Sequence, residues 1–283
     1  MNREEIQDRV ESAYEELAKA LEAGKSETLI QYLKMCSRFH QYSLGNCILI
    51  YLQKPDATFV AGYRRWLELH RFVKKGEKGI AILAPLIRKR PVEKEGRPAE
   101  KDEKAEKVER SVVGFRSVFV FDLSQTDGEE LPQFAVSSGE PGELIGTVEN
   151  FIRARGITLT YEPISGGANG MSAGGSIVIS PELSPPETFR VLVHEAAHEL
   201  LHQGDRRGET SKSTRELEAE AVAFIVASAF GIDSSTRSSD YIQLYNGDKE
   251  GLVRSLDIIQ KTATTIIESL HAARKEATHA LAP

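Results

Sequence analysis

Cysteine is almost missing from this chain: Cys36 and Cys47 are the only two in 283 residues. Neither stands in a Cys-x-x-Cys pair, which excludes a cysteine metal site and predicts free thiols packed in helices, as in a reducing cytoplasm. Long apolar runs are missing too. No stretch approaches the roughly 20 residues of a membrane span, so no membrane partner is expected. The opening MNREEIQDRVESAYEELAKALEAG has no apolar signal core and reads as a charged amphipathic helix. Nor is there an excess of positive charge. With 36 Lys and Arg against 42 Asp and Glu, net −6, the chain is not one that coats nucleic acid through overall charge. Its 40% hydrophobic and 28% charged residues suit a soluble cytoplasmic protein of one large or two small domains, and no internal repeat is visible.

Charge is concentrated locally instead. In GYRRWLELHRFVKKGEKG, residues 62–79, Arg64, Arg65, Arg71, Lys74, Lys75 and Lys78 outnumber Glu68 and Glu77, with Tyr63, Trp66 and Phe72 between them. Bases interleaved with aromatics suit a single strand, whose bases stack while its phosphates are neutralised. A core of Trp66, Leu67, Leu69 and Phe72 with a solvated basic rim gives the same pattern, so composition leaves both readings open. Residues 88–110, RKRPVEKEGRPAEKDEKAEKVER, are charged at 16 of 23 positions and cannot bury enough surface to fold alone. The β-like runs GIAILAPLI and SVVGFRSVFVFDL flank them, which predicts a hairpin with a long charged insertion at its tip.

Apolar periodicity predicts helices over 3–21, 26–36, 44–52 and 63–69, then the hairpin, closing a first domain at 1–125. A polar, Gly- and Pro-containing connection leads to a second domain, 140–283. It should hold a helix over 142–155, strands at 157–161 and 176–180, two helices carrying the motif below, and a long amphipathic helix from 247. The expected fold class is therefore α+β.

In VLVHEAAHELLH, residues 191–202, His194 and His198 are i and i+4 on one helix face, and Glu195 lies beside the first. This H-E-x-x-H arrangement supplies two zinc ligands and a general base. Ser184 and Pro185 give the helix an N-cap and a proline in its first turn. A catalytic zinc usually needs a third protein ligand, and RELEAEAVAFIVASAFG offers Glu216 and Glu220, again i and i+4. Glu216 is the candidate ligand. Glu220 then accepts a hydrogen bond from the far nitrogen of a ligand histidine, and Glu218 points away. His202 is a further four residues on, but the helix drifts about 40° per such step, so it is read as hydrogen-bonded near the helix end.

HEAAHELLH followed by ELEAEAVAFIVASAFGID resembles the metallopeptidase half of the ArdC antirestriction family and, more distantly, the ImmA/IrrE peptidases. Its ExxAE step is similar to the ExxAD of other gluzincins, with the longer Glu220 in place of aspartate. The resemblance implies a gluzincin-like domain with a small sheet and long helices, with Glu216 as third ligand and Glu220 as its support. QYSLGNCILIYLQKPDATFVAGYRRWLELHRFVKKGEKGIAILAPL resembles the N-terminal domain of the same family, associated there with single-stranded DNA. Carried over onto matching positions, that implies Asn46, Arg64, Trp66, Lys74, Lys75 and Lys78 as DNA contacts.

The expected activity is peptide-bond hydrolysis at one Zn2+ with Glu195 as base, acting on a protein or peptide substrate and associated with single-stranded DNA. Antirestriction is implied by the resemblance only. Two alternatives keep the metal: a non-proteolytic protein that shields single-stranded DNA, and a regulatory peptidase that cleaves a repressor. The strand SIVIS at 176–180 is expected to offer a sheet edge to an extended peptide. SGGANGMSAGG is read as a flexible loop beside the cleft, and Tyr241 as a candidate for stabilising the oxyanion.

Overall fold

The structure, a computed structural model, describes residues 3–91, 108–131, 141–232, 244–245 and 247–280. Three helices open the chain: α1 (Arg3–Glu22), α2 (Glu27–Arg38) and α3 (Leu44–Gln53). α1 buries a stripe that includes Ile6, Ala13, Leu17 and Leu21, at helical spacing, whereas α3 is buried at every residue from 46 to 50. Cys36 and Cys47, both free and buried, lie in α2 and α3. The Ser43 hydroxyl accepts from the Asn46 amide and starts α3.

β1 (Val60–Gly62), α4 (Tyr63–Glu68) and β2 (Arg71–Val73) lead into the predicted hairpin, β3 (Ile80–Pro91) with β4 (Val108–Asp122). β4 is the middle strand of an antiparallel sheet in the order β1-β4-β3, and β2 pairs with β5 (Thr126–Gly128). Asp122 locks this corner. One carboxylate oxygen accepts from the Thr58 and Phe59 amides at 2.7 and 3.1 Å, the other from the Ser124 amide at 2.9 Å. The hairpin also corrects the insertion. Its pairing runs out to Pro91 opposite Val108, so both ends of the charged stretch 88–110 are strand, because a ladder needs only backbone groups. Residues 92–107 lie outside the described residues.

The second half begins with α5 (Pro141–Arg153) and a small sheet of β6 (Thr158–Tyr161), β7 (Gly170–Ser172) and β8 (Ser176–Ile179). Its order is β6-β8-β7, with β6 parallel and β7 antiparallel to β8. This overturns the expected edge strand at 176–180. β8 is hydrogen-bonded on both sides, and the edge beside the helices is β7. The glycine-rich run is corrected too: it contains β7 and closes in a turn tied down by Glu199, which accepts from the Gly174 and Gly175 amides at 2.9 and 2.7 Å.

α6 (Pro185–Leu201), short α7 (Asp205–Glu209), α8 (Lys212–Ala229) and α9 (Lys249–Ala280) follow. From Leu217 to Ala227 every residue of α8 except Glu220 is buried, many of them alanine, so α2, α6 and α9 can all pack on it. α9 reaches back to the first helices. Gln260 donates to the carbonyls of His40 and Tyr42, Thr264 donates to that of His40, and Lys249 pairs with Glu11. Buried side chains from Ile6 to Leu270 thus form one cluster. Among the described residues no helix is long and apolar enough to cross a membrane.

Candidate metal centre

Helical geometry brings His194 and His198 together on α6, and α8 delivers Glu216 to the same point. The two Nε2 atoms are 3.1 Å apart, and Glu216 Oε2 is 3.5 Å from that of His194 and 3.6 Å from that of His198. Donors around a tetrahedral zinc at roughly 2.0–2.1 Å are separated from one another by roughly 3.3 Å. The triangle is already the right size for such an ion. Two imidazoles and one carboxylate also form a donor set suited to a first-row divalent metal.

The partners behind these side chains differ. His194 Nδ1 lies 3.4 Å from Glu220 Oε2, and Glu220 is paired at 3.0 Å with Arg190. The sequence places Glu220 behind a histidine, and there it sits. His198 Nδ1 instead meets His202 Nδ1 at 2.9 Å, and His202 Nε2 lies 2.9 Å from Glu218 Oε2. Glu218 turns away from the triangle as expected, yet it is fully buried and bonded to Arg206 and Ser255. That link between Glu218 and the ligand face is absent from the sequence reading. It depends on how α6 and α8 are rotated against each other.

Burial disfavours charge on His194, but the carboxylates of Glu216 and Glu220 outweigh it and raise the imidazole to about 9. The two histidines hold Glu216 well below the usual carboxylate range. Burial pushes Glu195 up, as suits a proton carrier, against the opposing pull of the histidines. β7 passes directly over it: a Cβ built on Gly170 would meet Glu195 Oε1 and Val191 Cγ1, each at 2.6 Å. A cavity of about 390 Å³ opens over His194, Glu195, His198 and Glu216, with Gly170 and Ser172 on one wall and Arg207 and Lys212 on another. Tyr241 lies outside the described residues.

The six DNA candidates separate cleanly. Trp66 is wholly buried, its indole donating to the Phe121 carbonyl at 3.0 Å, so it has no face for a base. Asn46 is buried with its amide spent on Leu83, donating to the carbonyl and accepting from the N–H, both at 2.9 Å. Both expectations are corrected; these residues hold α3 and α4 to the sheet. Arg64, Lys75 and Lys78 are exposed, while Lys74 is exposed but bonded to the Ser124 carbonyl and near Asp127. The aromatics of this half that do face outward include Phe72, 60% exposed, and Phe119, 52% exposed, with Tyr63, Phe115 and Phe59. Phe119 packs beside Gly79, at the end of the lysine loop.

The family described as the N-terminal domain of anti-restriction factor ArdC matches residues 2–121, and the IrrE N-terminal-like domain family matches residues 152–239. An uncharacterized protein of Bacillus anthracis is 25% identical over 281 residues, covering 86% of this chain but 48% of its own. The chain thus spans about half the length of that relative. Two crystal structures of a plasmid-borne antirestriction protein ArdC are similar in fold. The metal-free one has a TM-score of 0.53 at 19% identity, covering 94% of this chain and 98% of that one. The Mn(II)-bound one has 0.51 at 18%, covering 92% and 97%.

Proposed function

We infer, from the premise that this chain joins an ArdC N-terminal domain to an IrrE N-terminal-like domain, that it is a zinc-dependent endopeptidase directed by single-stranded DNA. The hydrolytic domain is 140–283 and the DNA-binding domain 1–125. One observation carries the hydrolase reading: three donors at ion-binding separation face an open cleft, with an unligated carboxylate, Glu195, beside them.

When bound, the ion supplies Lewis acidity that eases loss of a proton from water and polarises a carbonyl. His194, His198 and Glu216 would hold it. Glu195 takes the proton as the water oxygen joins the carbonyl carbon, then gives it to the amine nitrogen as the C–N bond breaks. Gly170 and the rest of β7 line the cleft as the free edge along which an extended peptide can be held. Arg190 and Glu220 keep His194 turned toward the ion. Zinc is favoured because two imidazoles and one carboxylate, with a position left open, form a common catalytic zinc set.

In the first domain, Phe72 and Phe119 offer stacking surfaces on either side of the loop bearing Lys75 and Lys78, with Arg64 also exposed. The test pairs the whole protein with Glu195→Gln: metal content by elemental analysis, then cleavage of a DNA-binding protein with and without a single strand. Stoichiometric metal in both, with cleavage by the wild type alone and faster with the strand, is expected. Metal and strand binding without cleavage under any condition would replace this reading with a shielding protein.

A further inference from the structure

We propose that His202 and Glu218 are positioning residues that fix the proton of the ligand histidine His198, leaving its Nε2 bare for a cation. The inference rests on the metal-site part of the reading above. Two imidazole nitrogens 2.9 Å apart share one proton, so of His198 Nδ1 and His202 Nδ1 one donates and the other accepts. Geometry at the far side of His202 decides which. Its Nε2 faces Glu218 Oε2 at 2.9 Å, and an ionised carboxylate only accepts. Nε2 of His202 therefore carries the hydrogen, its Nδ1 is bare, and the proton between the rings belongs to His198. With Nδ1 protonated, neutral His198 has its lone pair on Nε2, the atom that faces His194 and Glu216.

Glu218 is held as a carboxylate by its own donors. Arg206 gives it bonds of 2.6 and 2.7 Å, and the Ser255 hydroxyl one of 2.6 Å. Water cannot easily reverse the order, because His202 is 2% exposed and Glu218 fully buried. His194 is oriented differently, directly by Glu220 at 3.4 Å, in a pair only partly open to solvent. One ligand histidine is thus set by a carboxylate in contact with it, and the other by a carboxylate acting through a second imidazole. The second route ties the metal face of α6 to α7 through Arg206 and to α9 through Ser255.

The discriminating variant is Glu218→Gln. Arg206 donates to both carboxylate oxygens and Ser255 to the one turned from His202, so a glutamine whose oxygen takes that doubly bonded place has its NH2 toward His202 Nε2. The hydrogen-bond direction then reverses along the whole relay: His202 is protonated on Nδ1, and His198 must be protonated on Nε2, where the ion binds. The first measurement is ring 15N NMR of the metal-free whole chain. Wild type is expected to show His198 protonated on Nδ1, and Glu218→Gln to show it on Nε2.

The second is the Zn2+ dissociation constant by competition with a chromophoric chelator. Glu218→Gln and His202→Phe should each weaken binding by roughly 10- to 100-fold, as outer partners of metal ligands generally do. Ser255→Ala, which removes a bond without reversing the relay, should stay within about threefold. A wild-type His198 protonated on Nε2 in the metal-free chain, or zinc bound by both Glu218→Gln and His202→Phe as tightly as by wild type, overturns the relay. A wild type that binds no zinc overturns the metal reading, and the metal-free tautomer still reports on the relay separately.

Discussion

At Gly170 the chain has no side chain because none fits. A methyl there would sit 2.6 Å from the Glu195 carboxylate, so Gly170→Ala must push β7 outward or turn Glu195 aside. Peptide hydrolysis should fall by roughly 10- to 100-fold, the cost of an ångström-scale misplacement, while elemental analysis finds metal content unchanged. Glu195→Gln keeps the shape and removes the proposed base. It should lower kcat by roughly 10²- to 10⁴-fold with the metal retained, whereas Glu216→Ala should lose the metal itself. Equal metal loss in Glu195→Gln would mean that Glu195 is a ligand rather than the proton carrier.

Among the elements, the β1-β4 corner depends on one carboxylate. Asp122→Asn turns an NH2 toward backbone donors in a buried site and should cost about 2 kcal/mol at pH 7 by urea denaturation. Burial works against the Asp122 charge, but hydrogen bonds from Ser124 and the Thr58 and Phe59 amides prevail and hold its pKa below the usual range. Its contribution is therefore complete above the unfolded value near 3.9 and fades as pH falls through the lower folded one. The gap between wild type and Asp122→Asn should narrow in acid below about pH 4.

The exposed aromatics of β2 and β4 make a different prediction. Phe72→Ala and Phe119→Ala should each weaken single-strand binding by roughly tenfold in fluorescence titrations, the worth of one stacked base. Trp66→Phe should lower the melting temperature and leave strand affinity within about twofold, since its indole faces Phe121 and not solvent.

For the whole molecule, metal and fold are linked, because the triangle exists only where α6 and α8 pack. Free metal at a hundred times its dissociation constant adds about 2.7 kcal/mol to stability. Chelation should therefore lower the melting temperature by on the order of 5 °C. Strand binding should be salt-dependent, but modestly so. With Arg64, Lys75 and Lys78 as the phosphate contacts, a log-log plot against salt should have a slope of about −2. A slope near zero would remove these residues from the DNA surface.

What the sequence by itself determined is what short-range rules carry. A helix puts i and i+4 on one face whatever surrounds it, so His194, His198 and Glu195 were legible from spacing, as were the hairpin and the long last helix from their periodicity. That Glu216 and Glu220 share one face followed from the same rule applied to a second helix, while packing decided that Glu220 meets His194. Tertiary structure decided what depends on how elements face one another. Aromatic residues among bases look alike whether they form a platform or a core with a charged rim, and only packing buried Trp66 and left Phe72 and Phe119 outside. A strand's sequence does not say how many neighbours it has, so only the sheet order moved the free edge from β8 to β7. Glu218 meets His202 across 16 residues because α6 and α8 are packed at one particular rotation. No local period encodes that rotation, since it is set by side chains from the whole core at once.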